Sequence, residues 1–531
     1  MKQLSAQKKQ ELMRLHQQGS IEAAAEMSKK LIKEYPKELL LFNILGICQE
    51  AKGDLDGAST SYQKAININP DIPELQFNLG AILYAMNDYK GAIKYYKKAI
   101  ELNSNFTEAF FNLGITHQTQ KEYDIAITSY EEAVRSQPGF YEAIGNIGTI
   151  KQLQGNLEEA ITFFKKSLAI LDDARGNYNI AGAYRNLGNL TLSIKHYRKA
   201  VELGTGEAEF YSDLGDALWH DGNIEEANRF LRKAVEVNSA HPKSNYQLGV
   251  FLYDNKAFTE AIKYFESAQV GDWEERILYC LYKLESYDEF KQKLESLAKQ
   301  KNFSPLLATL STHYAQNFKT KDLYNFCPSP LSFVSHEEVP ELIENNQILI
   351  KELVNDINNA NILKRQHEPL FDNSETEQSA GDLFKRPEQS FHKLSNALKN
   401  AIKRYYLRHQ HEENEFIRSF PKNIIFTSAW YVKMQSGGHL TSHIHEDGWI
   451  SGAVYLAIPK DNGPDGQEGA IELSTDGDGY PRLHDEFEKK IILPKEGEVI
   501  FFPSSIFHRT IPFNSKEERV CIAFDIKPDF S

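Results

Sequence analysis

The feature that most constrains this 531-residue chain is a recurrence at 34 residues. Glycine stands at Gly46, Gly80, Gly114 and Gly148. After one 33-residue step Ala181 takes its place, and Gly215 and Gly249 resume the spacing. Twelve positions beyond each comes a small residue: Ala58, Ala92, Ala126, Ala160, Ser193, Ala227 and Ala261. Four further on stands a bulky one (Tyr62, Tyr96, Tyr130, Phe164, Tyr197, Leu231, Phe265), and Pro36, Pro70 and Pro138 close several units. A period of this length is the mark of one supersecondary unit stacked on copies of itself. Small residues let two antiparallel helices approach closely, the bulky residue fills the gap to the next pair, and proline ends the second helix.

This pattern resembles the tetratricopeptide repeat over about half the chain. Eight units are countable, the first a weaker one at 5–38 with Ala24 and Pro36, and capping helices complete an all-α solenoid over 5–300. A single unit cannot bury its apolar face, so stacked units share a core and curl around a concave groove where partners bind. The sixth position of the inner helix is Asn78, Asn112, Asn146 and Asn179 in four successive units. A carboxamide both donates and accepts, which suits it to grip the backbone of an extended peptide. The plain alternative is that asparagine is simply common at this site of the repeat. The resemblance implies peptide binding, because some repeat proteins of this kind hold peptides on such a ladder.

Composition narrows the partners further. A net charge of −14 opposes attraction to phosphate backbones and anionic lipid, so nucleic acid and membrane are not expected. A protein or small-molecule partner is expected from the charge, and the repeat groove points to a protein or peptide. The polar N-terminal stretch lacks the apolar core of a secretory signal, and no segment has the length of apolar residues that a membrane span needs, so a cytoplasmic location is expected. Cys48, Cys280, Cys327 and Cys521 are scattered without pairing spacing and read as reduced.

The helical period fails after Lys301. Residues 301–424 read as a connecting region with amphipathic helices at about 337–365 and 387–410 that pack on a following sheet. From Ile425 the chain changes to short apolar runs broken by glycine and proline, so 425–531 is expected to form a double-stranded β-helix of the jelly-roll type.

Within that region lies Ser442-His443-Ile444-His445-Glu446-Asp447-Gly448-Trp449. Alternate residues of a strand share a face, so His443 and His445 can meet one metal, with Asp447 next in line. Such a pair alone is commonplace on surfaces. Its context is Phe502-Pro503-Ser504-Ser505-Ile506-Phe507-His508, which turns at Pro503 to place His508 on the next strand. Eleven residues on is Arg519, on a strand with Arg519, Cys521, Ala523 and Asp525 on one face and Val520, Ile522, Phe524 and Ile526 on the other. The second set suits a covering of helices. An arginine turned inward requires an anion, and a guanidinium matches a carboxylate bidentately. Trp449, Tyr431 and Tyr455 are candidates for the pocket wall or for core packing, whereas His439 and His484 have no partner in spacing and are expected to be exposed.

Taken together, SHIHEDGWISGAVYL, FFPSSIFHRTIPF and ERVCIAFDI resemble the iron(II)/2-oxoglutarate-dependent oxygenases, specifically the bacterial ones fused to tetratricopeptide repeats. The resemblance implies that Fe(II) is held by His443 and His508, that Arg519 binds the distal carboxylate of 2-oxoglutarate, and that the chain is a dioxygenase. The commonest ligand set for such iron, two histidines and a carboxylate in the order His-x-Asp/Glu then His, fits His445, Asp447 and His508. The family likeness instead aligns His443 with the first ligand and His445 with the second. His443, His445 and His508 are preferred, with Asp447 as the alternative to His445. Two other functions stay open: a non-catalytic repeat adaptor with a degenerate jelly roll, and a cupin-like metal protein without cosubstrate, which leaves Arg519 unexplained. On the oxygenase reading, replacing Asn112 and Asn146 with alanine weakens capture of partner peptides but leaves uncoupled 2-oxoglutarate consumption intact. Equal loss of both, measured side by side, makes the ladder structural.

Overall fold

The computed structural model describes residues 4–527, apart from 205, 301–302, 361, 363–375, 380, 382, 422, 447 and 462. The chain divides into two compact units, Met1–Gly204 and Thr205–Ser531. Among the described residues no helix is long and apolar enough to cross a membrane.

Met1–Gly204 is built of helix pairs, from Ala6–Gln17 with Ile21–Glu34 through to Ala174–Asn186 with Leu190–Leu203. The packing explains the repeat glycines. A Cβ on Gly46 would stand 2.7 Å from the Tyr62 ring, and one on Gly114 would stand 2.6 Å from the Tyr130 ring. The bulky residue therefore lies on the glycine of its own pair. It also serves the gap foreseen from sequence, since Tyr62 shares a buried cluster with Leu75 and Leu79 of the next pair. Several first helices end at a left-handed residue, at Gly53, Asn87, Lys121, Gly155 and Gly188 in this unit. Glycine recurs there because that backbone conformation carries no penalty without a Cβ. All four asparagines of the expected ladder are half-buried. Asn112 and Asn146 lie beside the hydroxyls of Tyr96 and Tyr130 in the preceding pair, and the Tyr130 hydroxyl donates to Gln118.

Thr205–Ser531 continues the helical pattern with Ala208–His220 and Ile224–Val237, Pro242–Asp254 and Phe258–Ala268, then Trp273–Lys283 and Tyr287–Ala298, and a single helix Pro305–Asn317. Gly222 and Lys256 extend the series of left-handed residues. Nine strands follow among the described residues: β1 Ser335–Glu338, β2 Thr376–Gln378, β3 Ile425–Met434, β4 Ile450–Ala457, β5 Ile471–Ser474, β6 Lys489–Ile492, β7 Glu498–Pro503, β8 Phe507–Thr510 and β9 Arg519–Lys527. All pair antiparallel, in one sheet of order β1-β7-β4-β9-β3-β2 and a second of order β6-β5-β8. This is the jelly-roll arrangement foreseen from the strand spacing.

The faces of β9 separate as its alternation predicts. Val520, Ile522, Phe524 and Ile526 enter a core with helices Ile348–Asn359 and Gln389–His409 on the outside of the large sheet. Cys521 joins Tyr455, Phe502, Ile471 and Leu473 between the two sheets. One expectation is corrected: the helix foreseen over 337–365 starts eleven residues later, at Ile348. Its first residues form β1 instead, where Glu337 pairs with Val499, and Val339 donates its amide to the Gly497 carbonyl just before Pro340. The apolar residues Val339, Leu342, Leu349 and Leu353 all reach the same core, which is why their spacing mimicked one continuous helix. His439 and His484, expected to be exposed, are half-buried, each with a ring nitrogen on a backbone carbonyl, Gly437 and Gln316 respectively. All four cysteines are free and buried.

The tight seat of the repeat glycines sets a stability test. Gly114→Ala forces a methyl into the Tyr130 ring and costs about 1–3 kcal/mol by overpacking. Thermal unfolding of the full chain should show the helical transition moved down, and an unchanged transition would mean that the ring moves aside freely.

Candidate metal and anion site

Three imidazoles meet at one end of the space between the sheets. His508 comes from β8. His443 lies on a stretch that is not a regular strand yet forms a single antiparallel bridge to His508, with amide-to-carbonyl bonds of 3.1 and 2.9 Å in the two directions. His445 follows on the same side, its amide bound to the Ser504 carbonyl at 3.2 Å. Each residue offers a ligand atom, and the three atoms lie within 4.8 Å of one another. Alternation thus brings His443 and His445 together as expected, although a bridge and a turn replace the foreseen strand. Asp447 lies outside the described residues.

The ring nitrogens facing away from this point are all engaged. His443 Nδ1 bonds the Thr441 carbonyl at 2.8 Å, and His508 Nδ1 reaches the Ile506 carbonyl at 3.4 Å. A carbonyl only accepts, so both Nδ1 atoms carry the proton and leave each Nε2 with a free lone pair. His445 Nδ1 donates to Asp525 Oδ1 at 2.7 Å. A histidine whose far nitrogen is held in this way is oriented and made more basic as a ligand.

Asp525 is itself buried on the inner face of β9 and takes further hydrogen bonds from Ser451 Oγ at 2.6 Å and Ser428 Oγ at 3.0 Å. Burial would raise its pKa, but the adjoining His445 and the bonds from His445, Ser451 and Ser428 together hold it below the ordinary aspartate value. Sequence alternation had placed Asp525 inward without giving it a task. Gly448 makes room for it, since a Cβ there would stand 2.4 Å from Ser504 Oγ and 2.9 Å from Asp525 Oδ1.

Arg519, from the start of β9, is 2% exposed. Its Nε donates to the Gly469 carbonyl at 3.1 Å, and its remaining contacts are the sulfurs of Met434 and Cys521 and the face of the Tyr455 ring, 5.1 Å from its centre. No carboxylate among the described residues pairs with it. The Tyr455 hydroxyl is likewise buried and makes no hydrogen bond among the described residues. His443, His445, His508, Arg519 and Tyr455 all line one cavity of about 400 Å3. Of the other aromatic candidates, Trp449 is core, its Nε1 donating to the Phe416 carbonyl, and the Tyr431 hydroxyl donates to Glu377.

Helices outside the jelly roll reach the histidine loop. Arg276 forks onto both carboxylate oxygens of Glu446, next to His445, and also bonds Asp272 at 3.0 Å. Tyr279 bonds Asp478, and His313 lies between the Tyr282 hydroxyl and Asp476, 2.7 and 3.0 Å away. Sequence reading missed these residues. Their partners in the jelly roll, Glu446, Asp478 and Asp476, lie more than 160 positions on, and no local pattern signals such pairing.

Family models match segments of both halves of the sequence. Residues 428–525 match the family described as "Putative 2OG-Fe(II) oxygenase". Tetratricopeptide-repeat families match 51–87, 73–106, 107–140, 141–205 and 212–275. A comparison with curated proteins gives no match. Among solved structures, MamA is 27% identical over 30% of this chain and 93% of its own, with a TM-score of 0.29. A tetratricopeptide repeat protein from Parabacteroides merdae is 18% identical over 46% and 100%, with a TM-score of 0.39. YrrB, titled a TPR protein with an unusual peptide-binding site, is 21% identical over 35% and 97%, with a TM-score of 0.30. The chain therefore joins tetratricopeptide repeats, which generally mediate protein–protein interactions, to a C-terminal domain of the 2OG-Fe(II) oxygenase type.

Two outcomes follow from the site's electrostatics. Asp525→Asn should weaken binding of a divalent cation roughly 10–100-fold, as loss of such an outer partner does, read by calorimetric titration with Mn(II). Unchanged affinity would mean that Asp525 only packs. Burial, and then the neighbouring imidazoles, push the His443 pKa down to about 4 and that of His508 well below its usual value. The unfolded chain therefore binds more protons than the folded one below the ordinary histidine pKa. The metal-free protein should lose stability as pH falls from about 6.5 toward 4, and His443→Gln should flatten that loss. A slope that the substitution leaves unchanged contradicts the assignment.

Proposed function

We propose that the chain is an Fe(II)- and 2-oxoglutarate-dependent oxygenase that hydroxylates a protein or peptide in the cytoplasm. His443, His445 and His508 hold the metal, and Arg519 binds the distal carboxylate of 2-oxoglutarate. The repeats capture the substrate chain, with Asn78, Asn112, Asn146 and Asn179 as its backbone contacts. One observation carries this reading: three imidazoles presenting Nε2, and a buried guanidinium without a carboxylate, share one cavity.

The donor set fits both groups. Three neutral imidazoles suit Fe(II) and leave its charge uncompensated, as a dianionic cosubstrate requires. The orphaned Tyr455 hydroxyl beside Arg519 supplies a second donor for a carboxylate, so a dicarboxylate satisfies two buried groups at once. When bound, metal and cosubstrate would, with dioxygen as the oxidant, supply oxidative decarboxylation of 2-oxoglutarate to succinate and carbon dioxide coupled to hydroxylation of a C–H bond. The chain's own part is positional. Asp525 keeps the His445 proton on Nδ1, Arg519 and Tyr455 set the reach of the cosubstrate, and Val432, Leu440 and Phe502 keep water from the cavity. A non-catalytic adaptor with a decayed barrel is the alternative. It gives no reason for three imidazoles locked through Nδ1 or for an unpaired buried arginine.

The purified protein with ferrous iron and 2-oxoglutarate should release succinate, and His508→Ala should abolish it. Arg519→Leu should raise the KM for 2-oxoglutarate roughly 10–100-fold, the loss of a buried charge-assisted pair, while leaving metal affinity in place. Turnover surviving His508→Ala, or absent under every reducing condition, contradicts the reading.

A further inference from the structure

The cavity that holds the imidazoles has one wall that the metal and cosubstrate groups leave unused. Across the inner face of the large sheet, Tyr455, Cys521, Val432 and Gln378 stand in register on β4, β9, β3 and β2, and all four line the cavity. Arg519 packs over Tyr455 at one end of this row. Gln378 stands at the other end, on the edge strand, three strand spacings or roughly 14 Å along the sheet from Tyr455. The groups assigned to the cosubstrate thus sit on β4 and β9, and Gln378 lies beyond β3.

Gln378 is 7% exposed, yet its carboxamide makes no hydrogen bond among the described residues. Other polar side chains of the lining are engaged: Ser428 donates to Asp525, Arg509 to Glu472, and Glu446 receives Arg276. A buried carboxamide that uses neither its NH2 nor its C=O is rare in a finished core, because each unmet group costs about as much as a lost hydrogen bond. Trp430, two residues before Val432 on the same face of β3, lines the cavity as well, with its ring 5.3 Å from that of His445. Its indole N–H also has no partner among the described residues. A flat face therefore runs from the neighbourhood of Gln378 to the imidazoles.

The chemistry of a carboxamide limits what can satisfy it. Its NH2 needs an acceptor and its C=O a donor, side by side along one edge. A carboxylate meets only the first need and an ammonium only the second. A hydroxyl carries both functions on one atom and cannot meet the two in parallel. An amide edge, with C=O and N–H together, meets both at once.

We propose that Gln378, beside Trp430, is the substrate-recognition group of this cavity and pairs with an amide edge of the substrate. That edge belongs either to the side chain of an asparagine or glutamine, or to the N–H and C=O of one extended residue. The proposal names the contact that seats the substrate of the oxygenase site above and rests on that reading.

Proton relaxation by Mn(II) held on the imidazoles reports on small molecules close to that site. The full chain loaded with Mn(II) and 2-oxoglutarate is titrated with propionamide and with methyl propionate. It is also titrated with N-acetylglycine methylamide and with the ester that has oxygen in place of the glycine N–H. At equal concentration at least one amide should be relaxed roughly tenfold more strongly than its ester, as for one buried hydrogen-bonded pair. A preference for propionamide assigns a side-chain amide, and one for the glycine derivative assigns a main-chain edge. Gln378→Met, of similar shape, should bring the amides down to the level of the esters. So should Gln378→Glu, which loses the NH2, and both variants should keep the affinity for Mn(II) and 2-oxoglutarate. Equal relaxation of amides and esters in the native chain, a preference that survives both substitutions, or a loss of 2-oxoglutarate affinity that matches the loss of preference would each overturn the proposal. A preference found without succinate release leaves the amide contact standing and removes the oxygenase reading; succinate release without a preference does the reverse.

Discussion

The hydrogen bond from His445 Nδ1 to the buried Asp525 carboxylate ties the sheet to the loop that carries His443 and His445, and much of the C-terminal structure serves it. An ionised carboxylate in an apolar sandwich survives only if its oxygens are satisfied, so Ser451 and Ser428 must face it from β4 and β3. Those strands flank β9 on either side, which fixes the order β4-β9-β3 as a requirement of the site as well as of the core. Gly448 must lack a side chain for the loop to pass beside the carboxylate. On the opposite face of β9, Val520, Ile522, Phe524 and Ile526 anchor the strand beneath two helices, so that Arg519 and Asp525 are presented from a rigid element.

A second constraint comes from outside the jelly roll. Glu446 sits directly beside His445, and the guanidinium that satisfies it belongs to the helix Trp273–Lys283. The helix Pro305–Asn317 reaches the loop after β5 in the same way, with Asn317 donating to the Pro481 carbonyl at 2.9 Å and accepting from the Leu483 amide at 2.7 Å. One helix that reads from sequence as the cap of a solenoid, Trp273–Lys283, and one inside the expected connecting region, Pro305–Asn317, are thus also a supporting wall of the site. Two loops that would otherwise expose charged groups beside the imidazoles are pinned to a packed helical layer.

The legible parts of this molecule are those written in local periods. The 34-residue recurrence announced the helix pairs, because each unit repeats one packing problem, a glycine under an aromatic ring. Alternation along 519–526 separated the cavity face from the helix-bearing face, and the HxH with His508 marked the imidazoles. Asp525 was placed correctly but left without a role, since nothing along the chain says that a carboxylate 80 residues away orients a histidine. The segment after Lys301 was read less well. Val339, Leu342 and Leu349 keep a helical spacing although Val339 follows a strand, Leu342 lies in the short helix Pro340–Ile343 and Leu349 in a separate one, because the core they share selects for apolar residues whatever the backbone does. Arg276 gave no local signal, as its partner lies 170 positions on.

The central claim is that three imidazoles and one buried guanidinium jointly hold a metal and a dicarboxylate. An anaerobic crystal structure of the full chain with Fe(II) and 2-oxoglutarate addresses it most directly. The account predicts iron bonded to Nε2 of His443, His445 and His508, with the far carboxylate of the cosubstrate on Arg519 and the Tyr455 hydroxyl. Iron bound through a carboxylate of the chain in place of His445, or a cosubstrate that leaves Arg519 without an anion, would contradict it.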